Sequence, residues 1–279
     1  SGNNTVGLSA AGLVNITGDR TQGVIISGLT SIGGDNTSGL MISGFMNVTG
    51  NMASGLHFSG AANITGQSFG GLMASGLLNV VGEHMNGLQI AGIANITASK
   101  LNGVQIALCN YATQARGLQI GLVNYYKEDM KGFQLGLVNA NPDTRVQMMV
   151  YGGNATPANI GVRFKNQLFY TILGVGSMYQ GLNDKFSASA SYRAGLSFPL
   201  YKGLSISGDL GYQHIEAFDN KDEVIPKRLY ALQARANLEY QFTRKFGIFA
   251  TGGYGLTRFY NKSSNYDKGA IIEAGIVLF

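Results

Sequence analysis

Few side chains in this 279-residue sequence are of the kinds that do chemistry: three histidines and a single cysteine stand among 15 acidic groups. His57 and His84 have no clustered carboxylates beside them, so neither matches an acid–base pair or a metal site. Both read as solvated side chains. Cys109 has no second cysteine with which to form a disulfide or ligate a metal. Its place in the repeat described below is taken by Val123 and Val138, so it reads as a small buried hydrophobe. His214 and Glu216 fall close to Asp222 and Glu223, a grouping that could supply a base and its orienting acid beside a nucleophile. No nucleophile motif accompanies them, and a solvated loop rim explains them equally. "GGDN" (33–36) lacks the Gly-Gly-x-Gly-x-Asp pattern of calcium-binding repeats. The sequence therefore predicts a protein that is not an enzyme, with no cofactor and no metal.

The other candidates are defined by position in a pattern. Asn15, Asn47, Asn63, Asn79, Asn95, Asn110, Asn124 and Asn139 hold one repeat position, often within Asn-x-Thr. Singly, such tripeptides are glycan acceptors. As a row, they predict a stacked ladder at a turn, satisfying backbone groups and one another. Repeat position accounts for them, which favours the ladder. Gln89, Gln105, Gln119 and Gln134 form a second row, expected on an outer face.

Composition bounds the elements that could carry such rows. Charged residues make up 13% of the chain, about half the usual share of roughly 25%. Glycine, at 41 residues, is about twice as frequent as its usual share of roughly 7%. No run approaches 18 consecutive apolar residues, which excludes a transmembrane helix. The net charge of +5 is scattered, with no basic stripe interleaved with aromatics, so nucleic acid is not the expected partner. No charged-then-apolar leader precedes Ser1, and a removed secretory signal is expected. Low charge without a spanning helix leaves a Gly-rich solenoid or a transmembrane β-barrel, and the sequence points to both in series.

Glycines stand at 7, 23, 39, 55, 71, 87 and 103, sixteen apart, with Gly117 and Gly132 continuing at shortened spacing. "GLMISGFMNVTG" (39–50) and "GLQIAGIANITA" (87–98) show the unit. Sixteen residues are too few for a helical repeat, and glycines destabilise helices by roughly 1 kcal/mol each. Apolar residues alternate over short runs such as Leu40 and Ile42, the period of a strand. Such a unit predicts one coil of a parallel β-solenoid, stacked about 4.8 Å from the next, with the aliphatics in a shared core.

After "NANPDTR" (139–145) this rhythm stops. In "FSASASYRAGLSF" (186–198) apolar and polar or small residues alternate throughout, longer than a usual strand of about five or six. About eight such strands follow: 145–154, 159–165, 168–179, 186–198, 203–216, 228–242, 246–260 and 269–279. One face of each is apolar, and too few charges remain to solvate the other in a soluble barrel, so lipid outside and a polar lumen inside fit better. In the last strand, the register that turns Ile272, Ala274, Ile276 and Leu278 outward keeps Glu273 out of hydrocarbon, where a carboxylate is costly. Arg163, Arg193, Asp209, Arg235, Glu239 and Glu273 then all point into the lumen. An eight-stranded interior is just wide enough to be filled by side chains, so three positive and three negative groups predict a paired plug rather than an ion path.

Residues 145–279, ending in "IIEAGIVLF", resemble eight-stranded bacterial outer-membrane proteins. The phrases "GLQIGLVN" (117–124) and "GFQLGLVN" (132–139) resemble the surface-repeat proteins of bacteria with two membranes. The first resemblance implies an insertion signal at the terminal aromatic, Phe279. The expected architecture is thus all-β: residues 1–142 a solenoid of 16-residue coils, and residues 143–279 an antiparallel transmembrane barrel. The tight turns "KNQ", "LYK" and "TRK" share a side with both barrel ends, which in bacterial barrels is the periplasm. The expected partners are outer-membrane lipid and a protein docked on the solenoid within a larger complex. A surface adhesin is the alternative, with a small channel or a barrel enzyme behind it.

Overall fold

The computed structural model describes residues 4–182, 186–218, 228–262 and 264–278. The fold is all-β, with one 3-10 turn at Gln180–Leu182 among the described residues. The chain divides into two compact units, Ser1–Pro142 and Asp143–Phe279.

The first unit is a parallel solenoid of coils about sixteen residues long. A typical coil has the strands Asn36–Ser43 and Met46–Thr49, which pair in parallel with Met52–Ser59 and Ala62–Thr65 of the next coil. Gly39 lies beside Gly55, and Asn47 beside Asn63. Later coils run their two strands together, as in Ala94–Ile106. Their shorter repeats are absorbed by a register slip, with Thr97 opposite Ala112 but Lys100 opposite Gln114. Glycine is required at the first repeat position for two reasons. Gly71 has φ +129°, and a Cβ there would lie 2.2 Å from the Gly55 carbonyl oxygen of the preceding coil.

The core of the coils corrects the sequence reading. Leu40, Ile42, Leu88 and Ile90 face outward, and the residues between them, such as Met41, Ser43 and Gln89, are buried. An alternating strand specifies two faces without saying which is inside, and a one-residue change of register exchanges them. Here the Asn and Gln rows hydrogen-bond from coil to coil and so tolerate burial. The Gln89 row is accordingly interior, not on an outer face. Apolar filling comes from Phe69, Met73, Met85 and Leu101. His57 belongs to the interior as well and is 1% exposed, whereas His84 is exposed. Cys109 is exposed rather than buried, because it sits on the outward-facing alternate of its strand.

The second unit is a closed antiparallel barrel of eight strands: Arg145–Gly153, Ala158–Asn166, Phe169–Ser177, Ser187–Tyr201, Leu204–Ala217, Arg228–Thr243, Phe246–Phe259 and Asn265–Leu278. The last strand begins four residues earlier than its alternation suggests, since Asp267 and Lys268 continue the ladder opposite Thr257 and Leu256. Closure comes from pairing of the first and last strands, Met148 with Leu278 and Gly153 with Glu273. Three connections of two residues each, after Asn166, Tyr201 and Thr243, lie at one end. Both ends of the barrel chain lie there too, because Arg145 pairs with Lys165, next to the first of those turns.

Candidate functional site

Alternation decides which side of the barrel each residue takes. In the strand Arg228–Thr243, Gln233, Arg235, Asn237 and Glu239 are buried, while Leu232 and Leu238 are about half exposed on the outside. Along the barrel exterior, Val146, Ile160, Leu210, Phe198 and Ile272 are among the exposed apolar side chains. Two groups of aromatics flank this belt. Tyr212, Tyr230 and Tyr260 cluster toward the long-loop end, and Tyr240, Phe242 and Phe246 toward the short-turn end. Tyr230 and Tyr240 are ten residues apart on one strand. At about 3.3 Å per residue and a tilt of about 40°, the girdles stand roughly 25 Å apart, the height of a bilayer-spanning apolar band.

All six charged positions singled out in the sequence are buried in the lumen, and the fold brings them together. Arg163 donates to both Glu239 oxygens at 2.6 and 3.0 Å, and its Nε donates to Gln147 at 2.7 Å. Arg193 donates twice to Asp209, at 2.8 Å each. Arg235 donates to Glu273 at 3.2 and 3.1 Å, and Arg193 Nη1 lies 3.8 Å from the same carboxylate. Three planar forks thus meet three carboxylates, the geometry in which buried charge is best compensated.

Neutral groups complete the network. Tyr170 donates to Asp209 at 2.7 Å, Asn237 donates to Asp209 at 2.8 Å, and Thr251 donates to Asn237 at 2.7 Å. With Gln147 included, every one of the eight strands contributes. Sequence reasoning missed Tyr170 because an aromatic in an alternating strand reads as lipid-facing. The available signal was its register, which Arg163 fixes through the pair Lys165–Tyr170. The long-loop mouth is filled as well, by Tyr179 and Leu182 packed with Ile215 and Leu229. Vestibules remain on either side, of about 740 Å³ at the short-turn rim beside Arg145, Lys202 and Glu239, and about 360 Å³ beside Asn154, Tyr179 and Asp267.

The solenoid carries two amide ladders. Nδ2 of Asn47, Asn63, Asn79, Asn95, Asn110 and Asn124 donates to Oδ1 of the next Asn, ending at Asn139, at 2.8–3.1 Å. Most of these amides also donate to a strand carbonyl, as Asn63 does to Ala74 at 2.8 Å. The row lies within strands and points inward, not at a turn. Left-handed backbone is taken instead by the repeat glycines. Asn15 stands at the start of the row, accepting from Ser9 at 2.9 Å, and Ser31 fills the place between it and Asn47. Gln105, Gln119 and Gln134 each donate to the preceding Gln at 2.8 Å, beginning at Gln89.

His214 and Glu216 lie on the outward-facing side of the barrel near its long-loop end. His214 Nδ1 meets the Tyr260 hydroxyl at 2.7 Å, Nε2 lies 3.4 Å from Glu216, and Glu216 accepts from Arg228 at 2.9 Å. Asp222, Glu223 and Phe279 lie outside the described residues.

No family model and no curated protein sequence matches the chain. Among solved structures, the N-terminal β-barrel domain of Pseudomonas aeruginosa OprF is similar at 17% identity and a TM-score of 0.32, covering 48% of this chain and 93% of that one. The chain is defined by its own geometry as an all-β protein, a parallel solenoid joined to a closed eight-stranded barrel.

Proposed function

We propose that the protein is a non-enzymatic component of a bacterial outer membrane, in which the barrel is a solute-tight anchor and the solenoid is the interacting part within a larger complex. The observation that carries this reading is the pairing of polarity in the barrel: an apolar belt between aromatic girdles outside, and a lumen closed by three Arg–carboxylate pairs inside. Purified protein in planar bilayers is expected to show no stable channel. Reproducible ohmic conductance from the wild type would reject the anchor in favour of a pore.

The solenoid is proposed to lie in the periplasm, because both barrel ends emerge at the short-turn rim, which faces the periplasm in bacterial barrels. A cysteine at the exposed Ser54, introduced after the exposed Cys109 is replaced by Ala, tests this on intact cells. A membrane-impermeant maleimide should label it only after permeabilisation. Labelling of intact cells would place the coils outside and support the adhesin reading.

A further inference from the structure

The outward faces of the coils are unlike those of a soluble solenoid. Five rows turn away from the interior, containing Leu40, Ile42, Phe45, Met46 and Val48 in one coil. They cover both sheets and the corner between them. Of the forty-five positions in these rows over nine coils, Thr30 alone lies outside the set Ala, Val, Ile, Leu, Met, Phe, Tyr and Cys. Many are strongly exposed: Phe45 is 54%, Leu77 48% and Leu122 48%.

Charge is segregated with the same strictness. The ten Asp, Glu, Lys and Arg residues of 1–142 run from Asp19 and Arg20 to Lys127–Lys131. Every one lies in the arc between the residue two after the ladder position and the next repeat glycine. None lies in the arc that runs from that glycine around the apolar corner. Hydrogen bonds on the charged edge are solvent-exposed, such as Asn51 to Asp35 at 2.9 Å and Asn102 to Asn86 at 2.9 Å. Each coil is therefore a wedge with a polar back, two apolar flanks, an apolar tip and an interior crossed by amide ladders.

We infer that this wedge is seated in the hydrocarbon of one membrane leaflet, tip inward, with its charged edge at the water interface. Four observations select acyl chains over a protein partner. First, three adjoining sides are apolar along the whole row of coils, whereas a protein-binding patch is one face with a polar rim and only about 56–58% non-polar area. Second, the five steps from Leu40 to Phe45 reach roughly 17 Å at about 3.3 Å each, against roughly 15 Å for half of a 30 Å hydrocarbon core. Third, between the first and last coils the strand backbones pair with the coil on either side, as a segment in lipid requires. Fourth, only four residues, 141–144, separate the last coil strand, which ends at Ala140, from the first barrel strand at Arg145, so a bilayer that holds the barrel is within tether reach of the coils. The arrangement is the β-sheet counterpart of an interfacial amphipathic helix. It leaves the polar edge free for a protein partner.

The inference rests on the barrel being an anchor, and the test separates the two. The chain has no tryptophan, so single Trp residues report locally. The full chain is reconstituted into phosphatidylcholine vesicles, plain or brominated on the acyl chains, with Phe45→Trp at the tip, Leu122→Trp as a second tip, Asn51→Trp on the charged edge and Leu210→Trp on the barrel belt. The expected result is blue-shifted emission at Phe45→Trp, Leu122→Trp and Leu210→Trp, strongly reduced by brominated lipid. Asn51→Trp should emit further to the red and be quenched by aqueous acrylamide instead. Quenching of Leu210→Trp by bromine with both tips open to acrylamide would overturn the wedge and leave the anchor standing. Blue-shifted tips that ignore bromine would overturn it in favour of a second copy or a protein partner. Bromine-insensitive emission from Leu210→Trp would sink the anchor itself.

Discussion

The solenoid and the barrel bury polar side chains in chemically opposite ways. The barrel lumen holds Arg163–Glu239, Arg193–Asp209 and Arg235–Glu273, whereas the coil interior holds neutral amides and hydroxyls and no formal charge. Pairing geometry explains the difference. In the barrel, residues facing one another come from different sequence positions on different strands, so a guanidinium can meet a carboxylate. In a parallel solenoid, each residue stacks on the same repeat position about 4.8 Å away. A charged row would repel itself, because like charges in register are destabilising. Only a group that both donates and accepts can ladder with copies of itself, and the carboxamide does so. Topology thus selects the chemistry of the interior.

Breaking one pair in each unit should expose that difference, with the largest effect in the barrel. Arg193→Met leaves Asp209 buried without its guanidinium and should lower barrel stability in micelles by roughly 3–5 kcal/mol, the usual result of orphaning one buried ion partner. Adding Asp209→Leu should recover much of the loss. The urea midpoints of the single and double variants decide it; equal midpoints would show that the pairs do not act as units. Next comes the solenoid backbone. Gly71→Ala places a Cβ against Gly55 at a left-handed φ and should cost about 3 kcal/mol. Gly70→Ala, with no atom within 4 Å of its Cβ, should be nearly neutral. Hydrogen exchange of the coil amides distinguishes these neighbours, since protection should collapse only for Gly71→Ala. Asn79→Leu should be milder. It deprives Asn63 and Asn95 of one ladder partner each and Ile90 of a donor, at about 1–3 kcal/mol. Faster exchange confined to the flanking coils is the expected signature.

How legible all this was in the sequence differs between the units for a physical reason. Barrel register could be read because a charge settles it: the expectation that Glu273 is kept off an apolar exterior turns Ile272 outward, and the two are 3% and 67% exposed. The coils offered no such marker. Leu40 and Met41 are both apolar, so alternation gave two faces with nothing to say which was inside. The usual assumption, aliphatics within, turned out reversed. Charge is confined to another arc of each coil and so marks neither face. Tyr170 was hidden differently, since the ring suits either side of a barrel; its register opposite Lys165 and its hydroxyl bond to Asp209 at 2.7 Å show which it took.

His57 sharpens the contrast at its smallest scale, as a titratable group inside the unit that otherwise buries neutral ones. It stands between Met41 and Met73 at the same coil position, with the Phe69 ring edge-on at 4.9 Å. Burial lowers its pKa from 6.5 to about 4, because the cation would lose its hydration in an apolar setting. The unfolded chain takes up the proton near pH 6.5, before the folded coil does, so the unfolded state binds more protons over that interval. Stability of the coils should therefore be flat above about pH 6.5, fall as the pH drops from there toward 4, and level off below. The slope approaches about 1.4 kcal/mol per pH unit within the window, which makes the loss about 1 kcal/mol between pH 7.5 and 5.5. Replacing the ring by the side chain of its neighbours, His57→Met, removes the titration and should flatten the profile. Coil hydrogen exchange at the two pH values, corrected for intrinsic rates, supplies the measurement. A variant that loses protection on acidification as steeply as the wild type would show that the acid sensitivity arises elsewhere.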